Sequence, residues 1–323
     1  MAGSGPVAAS DAGVAGSPRG RGRSVVFLGA AALLTVIMLG HTWIPEAGGL
    51  GVAVDIAAPW LGTLVPVLAV TAVLCRCPAG AVAMLAPLLA WAYLFGSWWA
   101  PGPAVRPGPA ATPLRVVSQN LFAANASPGA SARALVAAEA DILAVQELGG
   151  TNREAVVRVL DDTYAYRTEL GTVGLWSRYP ISDTTPVDVG VEWHRGLRTH
   201  IATPAGDLVV YVVHLPSIRP GAITARDDGL TLLSRELAAD DAEHIVVAGD
   251  FNTATTDQRW AGFAPGFRDV HSGAAFTWPA SFPIARLDHI LVRGMGVTNT
   301  SVLRVPGPDH RAISAEVQPE RTR

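Results

Sequence analysis

Hydrophobic positions follow two regimes along this chain. Before Pro101 they form long unbroken runs, and after Leu114 they come in short blocks closed by polar residues. Three early stretches, Ser24 to Trp43, Ile56 to Cys75 and Ala79 to Trp98, contain no Asp, Glu or Arg. Each is about 20 residues long, enough as a helix to cross a bilayer core of ~30 Å. Together they predict a three-helix membrane anchor over residues 24–99. Trp43, Trp60, Trp98 and Trp99 sit near the ends of the runs, where an amphipathic ring suits the membrane interface. Pro66 and Pro87 predict kinks in the second and third helices. The first run is too long for the apolar core of a signal peptide, and two further spans follow it.

Beyond the anchor the pattern is that of an α/β domain over residues 114–323. Leu114 to Asn120, Asp141 to Glu147, Val173 to Ser177, Leu208 to His214, His244 to Asn252, Leu287 to Val292 and Ala312 to Val317 read as strands, from their run length and β-branched content. Ser131 to Ala140, Asn152 to Leu160 and Thr224 to Ala239 read as helices. Roughly 200 residues suffice for one substantial core. Residues 1–23, mostly Gly, Ala, Ser, Pro and Arg, are expected to be a disordered tail. Residues 100–113, rich in Pro and Gly, are expected to form a semi-rigid linker.

Charge adds an orientation. Arg19, Arg21 and Arg23 precede the first span and Arg76 lies between the second and third, whereas the loop between the first and second carries Glu46 and Asp55 and no Arg. By the positive-inside rule the N-terminus is cytoplasmic, and three crossings put the α/β domain outside the membrane. The net charge of -3 provides no basic surplus, so specific nucleic-acid binding is not expected. Cys75 and Cys77 sit at the border of an apolar run and read as apolar filler; no disulfide framework supports the domain. Nothing in the sequence bears on oligomeric state.

The chemistry lies at the strand ends. A buried strand delivers its terminal side chain to a fixed place at the sheet edge. Asn120, Glu147, His214, Asp250 and Asn252 occupy such ends, and Asp309 and His310 precede the last strand. Oxygen ligands of this kind suit Mg²⁺ or Mn²⁺, and His or Asn can donate to phosphoryl oxygens.

Taken in order, Ser-Gln-Asn120-Leu, Ala-Val-Gln-Glu147, Leu-Trp-Ser-Arg-Tyr-Pro-Ile181, Val-Val-His214-Leu, Ala-Gly-Asp250-Phe-Asn252, Arg-Leu-Asp288-His-Ile-Leu and Pro-Asp309-His310-Arg resemble the motifs of the endonuclease/exonuclease/phosphatase superfamily. That resemblance implies a four-layer α/β sandwich, two packed mixed β-sheets flanked by helices, here preceded by three transmembrane helices. It implies a metal-dependent hydrolase acting on phosphate ester or phosphoanhydride bonds. Glu147 is implied as the main metal carboxylate, with Asn120 and Asp309 nearby as further metal ligands or as groups holding the ligands. His310 is implied as the essential histidine and Asp288 as the carboxylate fixing its tautomer. Asp250 would orient or deprotonate the attacking water, Asn252 would hold a phosphoryl oxygen, and His214 would donate to the phosphate or the leaving oxygen. Asp250 and His310 both remain open as the base. Some members carry an acidic residue shortly after the first Asn; here Asn125 stands nearest. Trp278 is a candidate for the substrate entrance, and Arg198 and Arg226 for phosphate contacts. His289 is expected to be structural.

The layout of three spans and an outer domain is similar to that of the VanJ-type membrane phosphohydrolases of actinomycetes. This implies a lipid-linked phosphate substrate such as a polyprenyl pyrophosphate and a role in glycopeptide-antibiotic resistance. The alternatives are an extracellular nuclease, a sphingomyelinase-type phosphodiesterase, and a non-catalytic binding module on a membrane stalk.

Overall fold

The structure, a computed structural model, describes residues 18–99, 112–219, 223–271 and 273–320. Most of the expected tail (1–17) and linker (100–111) lies outside the described residues. The chain divides into two compact units. One holds the chain up to Gly40 together with Pro59–Leu94, and the other holds His41–Ala58 together with the chain from Phe95 onward.

In the first unit, α1 (Pro18–Gly40) runs unbroken and begins six residues before the expected start at Ser24. The second apolar run is composite: α2 (Leu50–Ala57), a 3₁₀ segment (Ala58–Thr63), then α3 (Leu64–Leu74). The third is α4 (Pro78–Ala83) followed by α5 (Leu85–Phe95) and a short 3₁₀ turn (Gly96–Trp99). Both breaks fall where proline chemistry places them. Pro66 has no N–H for the carbonyl of Gly62, inside the 3₁₀ segment, and Pro87 has none for that of Ala83, where α4 stops. Among the described residues, Arg21–Trp43, Leu50–Leu74 and Pro78–Trp99 are long and apolar enough to cross a membrane. Phe27, Leu34, Met38, Val65, Ala72 and Met84 are buried against one another, while Val25, Leu33, Val67, Val70, Leu74 and Leu89 face outward. An apolar outer face suits lipid. Cys75 and Cys77 are free thiols at this border, Cys77 lying 3.5 Å from the Ser24 hydroxyl.

The catalytic unit contains β1 (Leu114–Asn120), α6 (Pro128–Val136), β2 (Ile142–Gln146), α7 (Gly150–Asp161), β3 (Tyr166–Leu170), β4 (Val173–Ser177), β5 (Ile181–Pro186), β6 (Gly196–Thr203), β7 (Gly206–His214), α8 (Ile223–Ala239), β8 (Ile245–Asp250), β9 (Arg268–Asp269), β10 (Asp288–Arg293), β11 (Met295–Leu303) and β12 (Ala312–Pro319). Two six-stranded sheets form, ordered β11-β12-β1-β2-β4-β3 and β5-β6-β7-β8-β10-β9. Each is mixed, with one parallel pair at its centre, β1 with β2 and β7 with β8.

Strand periodicity assigns the layers. Val116, Ile142, Ala144 and Leu175 of one sheet meet Val210, Val212, Val246, Ala248 and Ile290 of the other in a shared core. The intervening residues face outward onto helices: Val117, Leu143 and Trp176 pack with α6 and α7, and Val209, Val247 and Leu291 with α8. This is the expected four-layer sandwich.

The segment His41–Ala58 between the first two spans packs as part of this second unit. Buried Asp55 takes a hydrogen bond from the Gln258 amide at 3.1 Å and lies 2.6 Å from His41 Nδ1. Ile56 packs against the cluster of Ala254, Ala285 and Leu287, as does Trp278. The anchor therefore does not run as one block over 24–99. Of the second apolar run, residues up to Ala58 belong to the second unit and Pro59–Leu74 to the first. The 3₁₀ rise adds about 12 Å over Ala58–Thr63 to about 16 Å of α-helix in α3, together still close to a bilayer core.

Candidate active site

Alternation along the strands determines which side chains meet. Val116, Ser118 and Asn120 share the inner face of β1; Val210, Val212 and His214 that of β7; Val246, Ala248 and Asp250 that of β8; and Ile290, Val292 and Asp288 that of β10. Asn120, His214, Asp250 and Asp288 are thus inward-facing members of apolar rows, each at the row's polar end. Register lines up His214 with Asp250 and Asp250 with Asp288 across the second sheet. Gly249 permits this pairing: a Cβ there would lie 1.9 Å from the Val213 carbonyl oxygen. Glu147 and Asn252 follow their strands with φ of 56° and 47°. Such left-handed conformations cost roughly 1–3 kcal/mol for a residue with a side chain, and they recur where a site dictates the backbone.

The resulting contacts centre on Asp250. Its Oδ2 accepts from Asn120 Nδ2 at 2.9 Å and from Asn252 Nδ2 at 3.3 Å, and its Oδ1 accepts from the Asn252 amide at 2.8 Å. His310 Nε2 and His214 Nε2 lie 3.9 and 3.7 Å from the same Oδ2. His310 Nδ1 is 2.8 Å from Asp288 Oδ2. Glu147 accepts from Asn120 Nδ2 at 3.1 Å and from the Ala123 amide at 2.6 Å. Asp309 accepts from the Trp278 side chain, and its backbone oxygen takes the Ala280 amide at 2.6 Å. Trp278 precedes a cis proline, Pro279.

Residues 117–314 match the family model described as the Endonuclease/Exonuclease/phosphatase family. The chain belongs to this family. Relatives include the uncharacterized protein YbhP of Escherichia coli K12 and of Shigella flexneri, each 32% identical over 155 residues, or 44% of this chain. The match spans 60% of the length of those relatives. Solved structures with the same fold include a humanized D. rerio TDP2 (18% identity, TM-score 0.55, covering 64% of this chain and 100% of that one). The endonuclease/exonuclease/phosphatase from Bacteroides vulgatus is similar at 16% identity and TM-score 0.54, over 65% of this chain and all of that one. The human Nocturnin catalytic domain with bound sulfate is similar at 16% identity and TM-score 0.52, over 64% and 95% of the two chains.

Family members are usually metal-dependent phosphoester hydrolases, and the donors present here fit a hard divalent cation. Asp250, Asp288 and His310 offer ligand atoms within 4.8 Å of one another. Asp288 Oδ1 is a buried carboxylate oxygen with no hydrogen-bond partner among the described residues. Glu147, Asp250, Asp288 and Asp309 outnumber the nearby cations, Arg195, Arg219 and His310. Oxygen-rich sites with a surplus of negative charge suit Mg²⁺ or Mn²⁺.

Burial and mutual proximity split the protonation states. Burial pushes the Asp250 carboxyl up to about 7, against the pull of His310. Burial alone would lower His310, but the carboxylates of Asp288 and Asp250 overcome it and push the imidazole up to about 10. Burial, then Arg195 and His310, hold His214 well below its ordinary value, so it is neutral. Burial also raises Asp309.

Several expected roles are placed differently. Asn120 turns its amide nitrogen toward Glu147 and Asp250 while its Oδ1 takes the Phe122 amide at 2.9 Å. As oriented it donates to the carboxylates and offers no oxygen to a cation. His214 Nε2 is engaged by Arg195 Nη2 at 2.5 Å. Arginine only donates, so Nε2 is the acceptor and the proton sits on Nδ1. Asn252 Nδ2 is held by the Leu215 carbonyl at 2.9 Å as well as by Asp250. Asn125 is outside the site, fastening its own loop through Leu121, Ser127 and Ser131. Arg226 is fully buried, 2.6 Å from Asp257 and 2.8 Å from Asp227, and Arg198 is paired with Asp240 at 2.7 Å. Neither is free for phosphate. His289 points to the opposite face from Asp288, between Asp269 and the Thr253 carbonyl, stacked on Trp260.

Arg195 is the residue the sequence reading missed. It is buried beside Asp250 and Glu147, and its recorded acceptors are His214 Nε2 and the Leu215 carbonyl. Burial lowers its pKa. It precedes β6 in a polar stretch with no apolar run to mark it as a strand end.

Proposed function

We propose that this chain is a membrane-anchored, divalent-cation-dependent phosphohydrolase with an extracytoplasmic active site, acting on a lipid-linked phosphate such as a polyprenyl pyrophosphate. The observation that carries the hydrolytic reading is the joint placement of Asp250, Asp288 and His310, one carboxyl near neutrality beside a protonated imidazole. A base must be unprotonated to act and works best with a pKa near the working pH. His310 at about 10 already carries its proton, so Asp250, at about 7, is the base for the attacking water. His310 donates Nε2–H toward a phosphoryl oxygen while Asp288 holds Nδ1–H. Arg195 supplies a second, fixed positive charge. Glu147 and Asp309, with Asp250 alongside, would hold the cation, which would supply charge neutralisation for the phosphoryl group.

The membrane part rests on the three apolar runs, and the lipid-linked substrate on proximity. A catalytic unit that shares segments with the spans stays at the bilayer surface, where lipid phosphates are concentrated. The arginine distribution supports the outward orientation. A role in glycopeptide resistance follows if the substrate is a cell-wall lipid carrier.

The full chain in nanodiscs should release phosphate from a polyprenyl pyrophosphate with Mg²⁺ and stop in excess chelator. Faster turnover of plasmid DNA or sphingomyelin would overturn the substrate; undiminished activity in chelator would overturn the metal. Protease added to intact spheroplasts should digest the catalytic unit, and its protection would overturn the orientation.

A further inference from the structure

We propose that Ile56, at the head of the second membrane run, is a positioning residue for the active site. The three buried residues it packs against, Ala254, Ala285 and Leu287, lie on segments that carry site residues, and Trp278 packs on the same cluster. Ala254 stands two residues after Asn252, and Leu287 directly precedes Asp288. Trp278 and Ala285 form a β-bridge that closes a small hairpin. That hairpin donates twice to Asp309, from the Trp278 side chain to the carboxylate and from the Ala280 amide to the backbone oxygen. One aliphatic side chain thus lies behind Asn252, Asp288 and Asp309 together.

The neighbouring contacts show a built clamp. Asp55 is 2% exposed and fastens to Gln258, while the Phe251 amide bonds to the Leu287 carbonyl at 2.9 Å, tying the first two segments to each other. From the end of the third run, Trp98 meets Phe276 edge-on at 6.1 Å. Gly273 lies so close that a Cβ there would be 2.4 Å from the Trp98 carbonyl oxygen. Residues continuous with two membrane runs therefore brace the hairpin that holds Asp309. A cation site tolerates little displacement of its carboxylates, and outer contacts that orient ligands typically change metal affinity by roughly 10- to 100-fold. The cation site would thus depend on the seating of Ile56 and Trp98 within the catalytic unit.

The inference rests on the proposed cation site, and Mn²⁺ binding followed by electron paramagnetic resonance on the full chain in nanodiscs tests it without an activity readout. Ile56→Ala should weaken Mn²⁺ roughly 10-fold, and Ile56→Val should restore most of the affinity. Val297→Ala provides the contrast. Val297 is buried in the core between the two sheets and pairs with Val317, opposite Leu114, at the far end of the sheet from Asn120. It should lower the melting temperature and leave Mn²⁺ affinity unchanged. An Ile56→Ala protein that behaves like Val297→Ala overturns the inference and leaves the function intact. Wild-type protein that binds no Mn²⁺ overturns both. If Ile56→Ala does not fold, Asp55→Asn decides: weakened Mn²⁺ supports the clamp, and unchanged affinity overturns it.

Discussion

His310 Nδ1 lies 2.8 Å from Asp288 Oδ2, and that contact keeps the imidazole protonated in a buried setting. Asp288→Asn keeps the shape and removes the charge. Turnover should fall roughly 10²- to 10⁴-fold, His310→Ala should cost as much or more, and the double variant should be little worse than His310→Ala because the two act as a unit. In the metal-free protein, the His310 titration seen by NMR should move down from about 10. An unmoved titration, or additive losses in the double variant, would contradict the pairing.

Arg195 makes a separate prediction. Arg195→Ala should raise KM for any phosphate substrate and lower kcat. It should also move the His214 titration upward, because Arg195 is one of the groups holding that imidazole neutral. A variant with normal kinetics and an unmoved His214 would remove Arg195 from the site.

His289 tests the alignment of histidines. It is completely buried, 2.9 Å from Asp269 Oδ2 and 2.9 Å from the Thr253 carbonyl oxygen. His289→Ala should lower the melting temperature, by a loss of about 1–3 kcal/mol for the abandoned partners, with kcat of the folded fraction near wild type. A folded but inactive His289→Ala enzyme would show that the wrong histidine carries the chemistry.

Asp240 gives a pH dependence away from the site. Burial works to raise its carboxyl, but hydrogen bonds from Arg198, Tyr211 and the Ala242 amide bring it down to about 2. A depressed carboxyl stabilises the fold above its unfolded value near 4, and that contribution is lost as the pH falls through the folded value. Asp240→Asn should therefore melt below wild type at neutral pH, with the gap closing as the pH falls from about 4 toward 2. A constant gap across that range would contradict the assignment.

What the sequence revealed and what it hid follow one physical division. Strands buried on both faces carry long β-branched runs, so β1, β2, β7, β8, β10 and β12 were legible, and with them Asn120, His214, Asp250 and Asp288 at their ends. The strands that were missed include β3, β5, β9 and β11, which are the four outer strands of the two sheets. Edge strands are short or polar and lose the apolar signal. Arg195 escaped for the same reason, standing before β6, one place in from such an edge. Asp55 and Ile56 escaped for another. Both lie next to an apolar run whose composition reads only as membrane, and their partners are about two hundred positions away in sequence.

That separation bears on how the protein is made. The Asp55 carboxylate and the Gln258 amide it accepts are 203 residues apart. A ribosome adds roughly 5–20 residues each second, so Asp55 emerges ten seconds or more before Gln258 does. During that interval Asp55 in α2 still lacks that partner. The buried tie between α2 and the segment after β8 thus forms only once most of the catalytic unit has been synthesised.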